Sequence, residues 1–114
     1  MLRLPRFRYL SPTSLAEAVR MKADAEPGSS FVAGGTDLYP NMKRRQQTPA
    51  VVIGLSRIQG FNGARFEAGG AWLGAGAILS DLENDPRIRS AWPGLAHAIA
   101  EISTPPLRNM GTIG

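Results

Sequence analysis

Four consecutive residues, Gly34-Gly35-Thr36-Asp37, are the part of the chain best suited to chemistry. They follow a short apolar run, residues 30–33, and precede a stretch with helical spacing. Glycines let a backbone approach a phosphate group closely, and amide groups at a helix start carry partial positive charge. The stretch lacks both the Lys-Ser/Thr of nucleoside-triphosphate loops and the G-x-G-x-x-G spacing of dinucleotide-binding turns. It suits either an anion-binding turn or an ordinary strand-to-helix turn, in which glycine supplies the conformation and Thr36 or Asp37 caps the helix.

The residue types that most often catalyse reactions are scattered along this chain. His97 is the only histidine, and there is no cysteine. No serine, second histidine or carboxylate pair is grouped around His97. Asp37 is placed to interact with a helix start rather than to act as a base. We therefore predict no catalytic residue and no metal site in this chain.

Positive charge is concentrated in the first half of the sequence. The net charge is +4, from 13 Lys and Arg against 9 Asp and Glu. Residues 1–57 hold nine basic and four acidic side chains, and residues 58–114 hold four and five. The basic residues form two clusters, Arg3, Arg6 and Arg8 near the start and Lys43-Arg44-Arg45 further on. Because no strand alternates aromatic and basic residues, we do not predict nucleic-acid binding.

The elements that would position the glycine turn alternate between strand and helix. Strands are predicted at residues 7–10, 30–33 and 51–53, and helices at residues 15–24 and 38–45. Ser14 and Glu17 have the spacing of a capping box for the first helix. This order predicts a small parallel βαβαβ subdomain over residues 1–57.

The second half has a different pattern, and residues 58–114 are predicted to begin an antiparallel subdomain. Strands at residues 64–68 and 71–75 flank Gly69-Gly70, which suits a primed hairpin turn. Helices are predicted at residues 78–82 and 95–102, with a break at Thr104-Pro105-Pro106 and loop-like residues after it. The fold class is therefore α+β, and the chain is expected to be a piece of a longer domain. No apolar run approaches the length of a membrane span and no signal stretch follows the start, so a cytoplasmic protein is expected.

Four stretches, in order, resemble the flavin subunits or domains of the molybdenum hydroxylases, the xanthine dehydrogenase family. The last of them resembles an R-N-x-x-T-I-G-G-N motif without its final Gly-Asn. The strand from Phe7, the Ala-rich helix and residues 37–42 resemble most the β subunits of 4-hydroxybenzoyl-CoA reductases. The four stretches are Val32–Leu38 with Met42-Lys43, Leu73–Ala77, Trp92–Leu95 and Arg108–Gly114.

The resemblance implies the FAD-binding fold of the xanthine dehydrogenase and vanillyl-alcohol oxidase type, with FAD lying between the two subdomains. The amide groups of residues 33–37 would bind the FAD pyrophosphate, and the last motif would approach the cofactor separately. The residues implied to bind FAD are Val32, Ala33, Gly34, Gly35, Thr36, Asp37, Leu38, Tyr39, Ile102, Thr112, Ile113 and Gly114.

The implied function is electron relay between iron–sulfur clusters and FAD in a molybdopterin-dependent oxidoreductase. Molybdopterin and the iron–sulfur clusters would be held by partner subunits, and the chain alone is expected to hold FAD poorly and to be inactive. The alternative hypothesis is a non-enzymatic basic α/β module, which binds a polyanion or a partner subunit through its two basic clusters.

Overall fold

The computed structural model describes residues 2–25 and 27–114, so Met1 and Glu26 lie outside the description. The chain divides into two compact units, Met1–Phe61 and Asn62–Gly114, called the N-terminal and the C-terminal unit below. Within the described residues, every helix is too short or too polar to cross a membrane. The match to solved structures reported below and the mixture of helices with small sheets confirm the predicted α+β class.

The N-terminal unit is built on a parallel three-stranded sheet. Its strands are β1 (Arg8–Leu10), β2 (Ser30–Val32) and β3 (Val51–Gly54), in the spatial order β1-β3-β2. Both pairings are parallel, with Tyr9 and Ser30 each opposite Val52. All four residues of β3 are buried, as expected of a central strand between two neighbours. The predicted parallel βαβαβ arrangement is confirmed, with strand ends that differ by one residue.

Helix α1 (Leu15–Asp24) has the predicted bounds and the predicted cap. The Ser14 hydroxyl oxygen accepts from the Glu17 amide at 3.1 Å. The Glu17 carboxylate reaches back and accepts from the Thr13 amide at 3.0 Å. Two of the amides at the helix start are thereby satisfied, which is what a capping box provides.

Helix α2 (Leu38–Lys43) is shorter than the predicted helix over residues 38–45. The Gln46 amide donates to the Asn41 carbonyl at 2.9 Å, and the Arg45 amide donates to the Met42 carbonyl at 3.1 Å. This pair of bonds is a Schellman helix end, and it requires a left-handed residue after the cap. Arg45 occupies that position with a φ of 61°. Because glycine is usual at this position, residue types alone could not predict that the helix ends here.

The core of the N-terminal unit holds the glycine turn from both sides. Val32 at the end of β2 packs with Leu38 and Met42 of α2 and with Val52 of β3. Phe7 and Tyr39 pack against this cluster. Because the residues before and after the turn are both anchored in one apolar cluster, the turn has fixed ends.

The C-terminal unit joins an antiparallel hairpin to four short helices. The turn of the hairpin lies at Ala68-Gly69, and Gly70 already pairs with Glu67. The prediction of a primed turn at Gly69-Gly70 is therefore wrong by one residue, although Gly69 does have a positive φ of 82°. The elements are β4 (Ala64–Glu67), β5 (Gly70–Leu73), α3 (Leu79–Asn84), α4 (Pro86–Ala91), α5 (Pro93–Ala100) and α6 (Pro105–Arg108).

Two of these helices were missed because proline was interpreted as a helix end. Pro86 and Pro105 are instead the first residues of α4 and α6, where the missing amide hydrogen costs nothing. The Asp85 carboxylate caps α4 by accepting from the Arg87 amide at 2.8 Å. Helix α5 begins in the same way at Pro93 and ends two residues before the predicted Ile102.

Candidate functional site

The glycine turn, residues 34–37, follows the carboxyl end of β2 and leads into α2. Gly35 has a φ of 74°, a conformation that side-chain-bearing residues rarely adopt. The ring of Tyr39 lies against the Gly35 α-carbon, and a β-carbon at residue 35 would collide with Cδ2 and Cε2 of that ring. The Tyr39 amide also donates to the Gly35 carbonyl at 3.3 Å. Both the backbone angle and the packing therefore require glycine here.

The amides of this turn make no hydrogen bond within the protein. Among the hydrogen bonds of residues 2–25 and 27–114, none has an amide of residues 34–37 as its donor. Gly34 and Gly35 are half-buried, whereas Thr36 and Asp37 are exposed. Backbone amides rarely remain without an acceptor, and consecutive unpaired amides in a turn form a concave site for an anion. The turn has the donors that a phosphate group needs.

The side chains around the turn are arranged to leave these donors free. Asp37 is the N-cap residue of α2, but its carboxylate makes no capping hydrogen bond, so the cap that the ordinary-turn interpretation assigned to it does not form. Val32 and Leu38 are buried, at 5% and 8% exposure, and hold the turn through the core. Burial raises the pKa of the Tyr39 phenol, and the charge of nearby Tyr9 raises it further. Tyr39 is therefore uncharged at neutral pH and does not repel an anion.

The last four residues pair with a second glycine-containing stretch of the C-terminal unit. The Leu79 amide donates to the Gly111 carbonyl at 2.9 Å, and the Ile113 amide donates to the Ala77 carbonyl at 3.0 Å. Ile78 and Thr112 form an antiparallel bridge between these bonds. Two of the four resembling stretches, residues 73–77 and 108–114, thus lie side by side, which sequence reasoning did not predict.

This pairing determines which groups of residues 112–114 remain free to contact a ligand. The Gly114 amide donates to the Ala75 carbonyl at 2.9 Å, so the amides of both Ile113 and Gly114 are occupied. A β-carbon at residue 114 would lie 2.9 Å from the Ala75 α-carbon, so the close approach of the two backbones requires glycine. The Ile113 side chain packs on the cluster of Ala77, Leu79, Leu82 and Ile99. Half-buried Thr112, with its hydroxyl 3.4 Å from the Gly114 carbonyl, is the residue left to contact a ligand.

Arg108 fixes the start of this last stretch, a role that sequence reasoning missed. Its Nε lies 3.2 Å from Oε2 of Glu83, and its Nη1 donates to the Ile102 carbonyl at 2.8 Å. Both side chains of the ion pair are largely shielded from water, at 11% and 17% exposure. The side chain of Ile102 is 44% exposed, and Ser103 beside it has a φ of 49°. The sequence did contain a signal for this role of Arg108, namely an arginine directly before Asn109.

The implied site residues fall into two groups that belong to different units. Val32 to Tyr39 surround the glycine turn, and Ile102 with Thr112 to Gly114 accompany the last stretch. His97 is exposed on α5. Within the described residues, no three His, Cys, Asp or Glu side chains are grouped so as to hold a metal ion.

Comparison with known proteins identifies relatives over almost the whole chain. Residues 5–114 match the family described as the FAD binding domain in molybdopterin dehydrogenase. The carbon monoxide dehydrogenase medium chain of Hydrogenophaga pseudoflava is 37% identical over 96% of this chain and 38% of its own length. The nicotinate dehydrogenase FAD-subunit of Eubacterium barkeri is 33% identical over 95% of this chain and 37% of its own length.

Comparison with solved structures identifies relatives of the same kind. The structure of the Hydrogenophaga pseudoflava carbon monoxide dehydrogenase that lacks the Mo-pyranopterin moiety of its molybdenum cofactor matches with a TM-score of 0.94 and 37% identity, over 98% of this chain and 39% of that chain. Quinoline 2-oxidoreductase from Pseudomonas putida 86 matches with a TM-score of 0.89 and 28% identity, over 96% of this chain and 38% of that one. This chain spans less than two fifths of these relatives. By sequence and by fold, it belongs to the family of FAD-binding domains of molybdopterin dehydrogenases.

Proposed function

We propose that the glycine turn binds the pyrophosphate of FAD and that this chain is the FAD-binding part of a molybdopterin-dependent oxidoreductase. The observation that carries the proposal is the run of amides at residues 34–37 without a protein acceptor, at a turn that Gly35 and Tyr39 hold in shape. Family membership favours this function over the basic polyanion-binding module.

In this proposal the chain binds and orients the cofactor and performs no chemistry itself. The amides of residues 34–37 donate to the pyrophosphate oxygens, and the Thr36 hydroxyl is available as a further donor. Val32, Leu38 and Tyr39 keep the turn from collapsing, because their side chains pack beneath and beside it. Ala33 directly follows β2 and leads into the glycine turn. Thr112 offers a hydroxyl from the second motif, while Ile113, Gly114 and Ile102 give that motif its shape.

Bound FAD would supply the redox chemistry, accepting and passing on electrons. We propose that these electrons come from or go to iron–sulfur clusters on a partner subunit, and that a molybdopterin-binding subunit completes the enzyme. Two relatives support an assembly of this kind by their names, which call them a medium chain and an FAD-subunit of dehydrogenases. The division into FAD-binding subdomains at residues 1–57 and 58–114 and the cytoplasmic location stay predictions.

A finer proposal is that the parent enzyme is a 4-hydroxybenzoyl-CoA reductase, and it rests on the resemblance of the strand from Phe7, the Ala-rich helix and residues 37–42. The complex purified through a tag on this chain would be assayed for reduction of 4-hydroxybenzoyl-CoA and for oxidation of carbon monoxide and nicotinate. Turnover of 4-hydroxybenzoyl-CoA is expected. Activity on either of the other substrates without it would contradict this finer proposal and leave FAD binding intact.

The pyrophosphate assignment is tested by following the amide NMR signals of this chain during ligand titrations. FAD and ADP share the pyrophosphate, whereas riboflavin has the flavin ring without it. FAD and ADP are both expected to shift the amides of residues 34–37, because hydrogen bonding to a phosphate oxygen changes their shielding. Riboflavin is expected to leave these four signals in place. The measurement works even where affinity is weak, as we expect for the chain alone.

A matched pair of variants separates local binding from general damage. Gly35→Val places a side chain where the Tyr39 ring lies, and the shifts with ADP are expected to vanish. Gly60→Val changes a glycine with nearly the same φ, 75°, but with open space around it, and binding is expected to persist. If saturating FAD and ADP leave residues 34–37 unmoved in the unaltered chain, the assignment is wrong.

A further inference from the structure

Arg45 joins two parts of the N-terminal unit that lie 42 residues apart in sequence. Its Nη1 donates to the Arg3 carbonyl at 2.7 Å and to the Met42 carbonyl at 3.0 Å. Its backbone is left-handed, which costs a non-glycine residue about 1–2 kcal/mol. An arginine at this helix end therefore gives up backbone stability and gains a side-chain link to the beginning of the chain.

The beginning of the chain is held at two points beside α2. Arg3 is bound through its carbonyl by Arg45, and Phe7 packs on the core cluster that includes Met42. The residues between these points form neither helix nor strand. Leu2 and Leu4 are exposed, at 64% and 37%. This segment is therefore an irregular strip of backbone that is held beside the end of α2 through Arg3 and Phe7.

The Arg45–Arg3 link consequently places most of the first basic cluster, without Arg8 of β1, beside the second cluster in one surface. We call it the basic–leucine surface, and none of its members is aromatic. Its four cationic side chains are all exposed. Within the part of the chain that the structure describes, the ion pairs are Arg65–Glu67, Arg87–Asp85 and Arg108–Glu83, and none involves these cations. The surface consists of Leu2, Arg3, Leu4, Arg6, Lys43 and Arg44.

We propose that the basic–leucine surface is a docking site for another protein, whose matching surface is acidic around an apolar centre. Unpaired cations on a fixed backbone attract a negative partner without the cost of breaking existing ion pairs, and they accelerate its association. The two exposed leucines supply the apolar contact that protein interfaces have at their centre. This inference is independent of FAD binding, since the glycine turn contributes none of these side chains.

The same features argue against nucleic acids and membranes, the other negatively charged partners that a basic surface attracts. Single-stranded nucleic acids are bound by stacking bases on aromatic rings, which this surface lacks. Membrane surfaces are bound by amphipathic helices, whereas residues 2–7 form neither helix nor strand. Leucines interleaved with arginines on an ordered strip fit a protein surface best.

The test measures fluorescence anisotropy of a short labelled peptide in which glutamate alternates with leucine. The first variant, Arg3→Glu with Arg44→Glu, is expected to weaken peptide binding by about tenfold or more. The control, Arg20→Glu with Arg57→Glu, makes the same change of net charge at exposed residues that are not members of the surface. It is expected to change binding by less than about twofold, because exposed charges at a distance are screened by salt. Circular dichroism checks that both variants are folded.

A second variant, Arg45→Gly, keeps the left-handed helix end but removes the link to Arg3. It is expected to weaken peptide binding although it lowers the net charge by only one. Equal losses in the charge-reversal variant and its control would overturn the proposal, as would no binding of the peptide. Tighter binding of a labelled oligothymidine or of phosphatidylserine vesicles would overturn it in favour of a nucleic acid or a lipid surface.

Discussion

The two glycine-containing stretches of this chain use glycine for different physical reasons. In the turn at residues 34–37, Gly35 supplies a positive φ, and the amides are left without protein acceptors. At residues 111–114, Gly114 allows two backbones to approach, and its amide is bound to Ala75. The backbone amides of the first stretch can donate to a ligand, whereas those of the second stretch donate within the protein and hold that stretch in place. Similar composition therefore does not mean a similar contribution to the cofactor site.

The two units also differ in their net charge and in how their charged side chains are paired. Residues 1–61 hold nine basic and four acidic side chains, a balance of +5, and residues 62–114 hold four and five, a balance of −1. Yet the three ion pairs found among the described residues all lie in the C-terminal unit. Among the described residues, the N-terminal unit has no ion pair, and Lys22 and Arg45 donate to backbone carbonyls instead, whereas the C-terminal unit pairs three of its four arginines with carboxylates.

The largest effect is expected at the glycine turn, from Gly35→Ala. The positive φ costs about 1–2 kcal/mol for alanine, and the collision with the Tyr39 ring adds about 1–3 kcal/mol. We expect the free energy of unfolding to fall by about 2–5 kcal/mol, as measured by urea denaturation. FAD-induced shifts of the turn amides should be lost as well, because the turn must move away from the ring.

Two further variants separate the causes of this loss. Gly60→Ala has the same strain of φ but no neighbour within 4 Å, so it should cost only about 1–2 kcal/mol. Tyr39→Ala combined with Gly35→Ala removes the collision, and the two changes should therefore be less costly together than their sum. If the free-energy losses of Gly35→Ala and Tyr39→Ala simply add in the double variant, the Tyr39 ring does not shape the turn.

The second-largest effect is expected in the C-terminal unit, from Arg108→Met. Glu83 would keep a shielded carboxylate without its partner, and the Ile102 carbonyl would lose a donor, so we expect a loss of about 2–3 kcal/mol. Arg65→Met is the control, because it breaks the exposed Arg65–Glu67 pair and should cost under about 1 kcal/mol. Equal effects of the two variants in urea denaturation would contradict the assigned role of Arg108.

Sequence reasoning found the elements whose signals are local and missed those set by contacts across the unit. Strands β1 to β3 and the Ser14–Glu17 cap follow from apolar runs and from residue types three positions apart. The start of α4 at Pro86 was equally local but was interpreted as a stop, because proline ends some helices and begins others. The Arg45–Arg3 and Gly114–Ala75 contacts join residues about 40 positions apart, and no pattern within either stretch reveals them.

A smaller effect is expected where the second glycine stretch meets its partner. Gly114→Ala pushes a β-carbon against Ala75, which we expect to cost about 1 kcal/mol, because Gly114 is exposed and its backbone can shift. Ala75→Gly combined with Gly114→Ala should recover only part of that loss, because it removes the Ala75 β-carbon but leaves the Ala75 α-carbon, 2.9 Å from the added β-carbon, in place. Hydrogen exchange of the Ile113 amide measures whether the pairing opens. Unchanged exchange in Gly114→Ala would show that the backbone approach is not tight.

The smallest effect concerns pH and the charges that the C-terminal unit uses for itself. Side-chain hydrogen bonds from Arg87, at 2.9 Å and 3.2 Å, hold the pKa of the Asp85 carboxyl below its usual value. Because the folded-state pKa is lower than the unfolded one, the stabilisation is fully present above about pH 5 and is lost as the pH falls through the lowered pKa. Arg87→Met should raise the pKa of Asp85, measured by NMR titration of its carboxyl carbon, and should reduce the loss of stability in acid.

Arg89→Met is the control, since Arg89 lies on the same helix but donates to the Glu83 carbonyl. An equal shift of Asp85 in both variants would mean that the general positive charge of α4, rather than the Arg87 hydrogen bonds, sets this pKa.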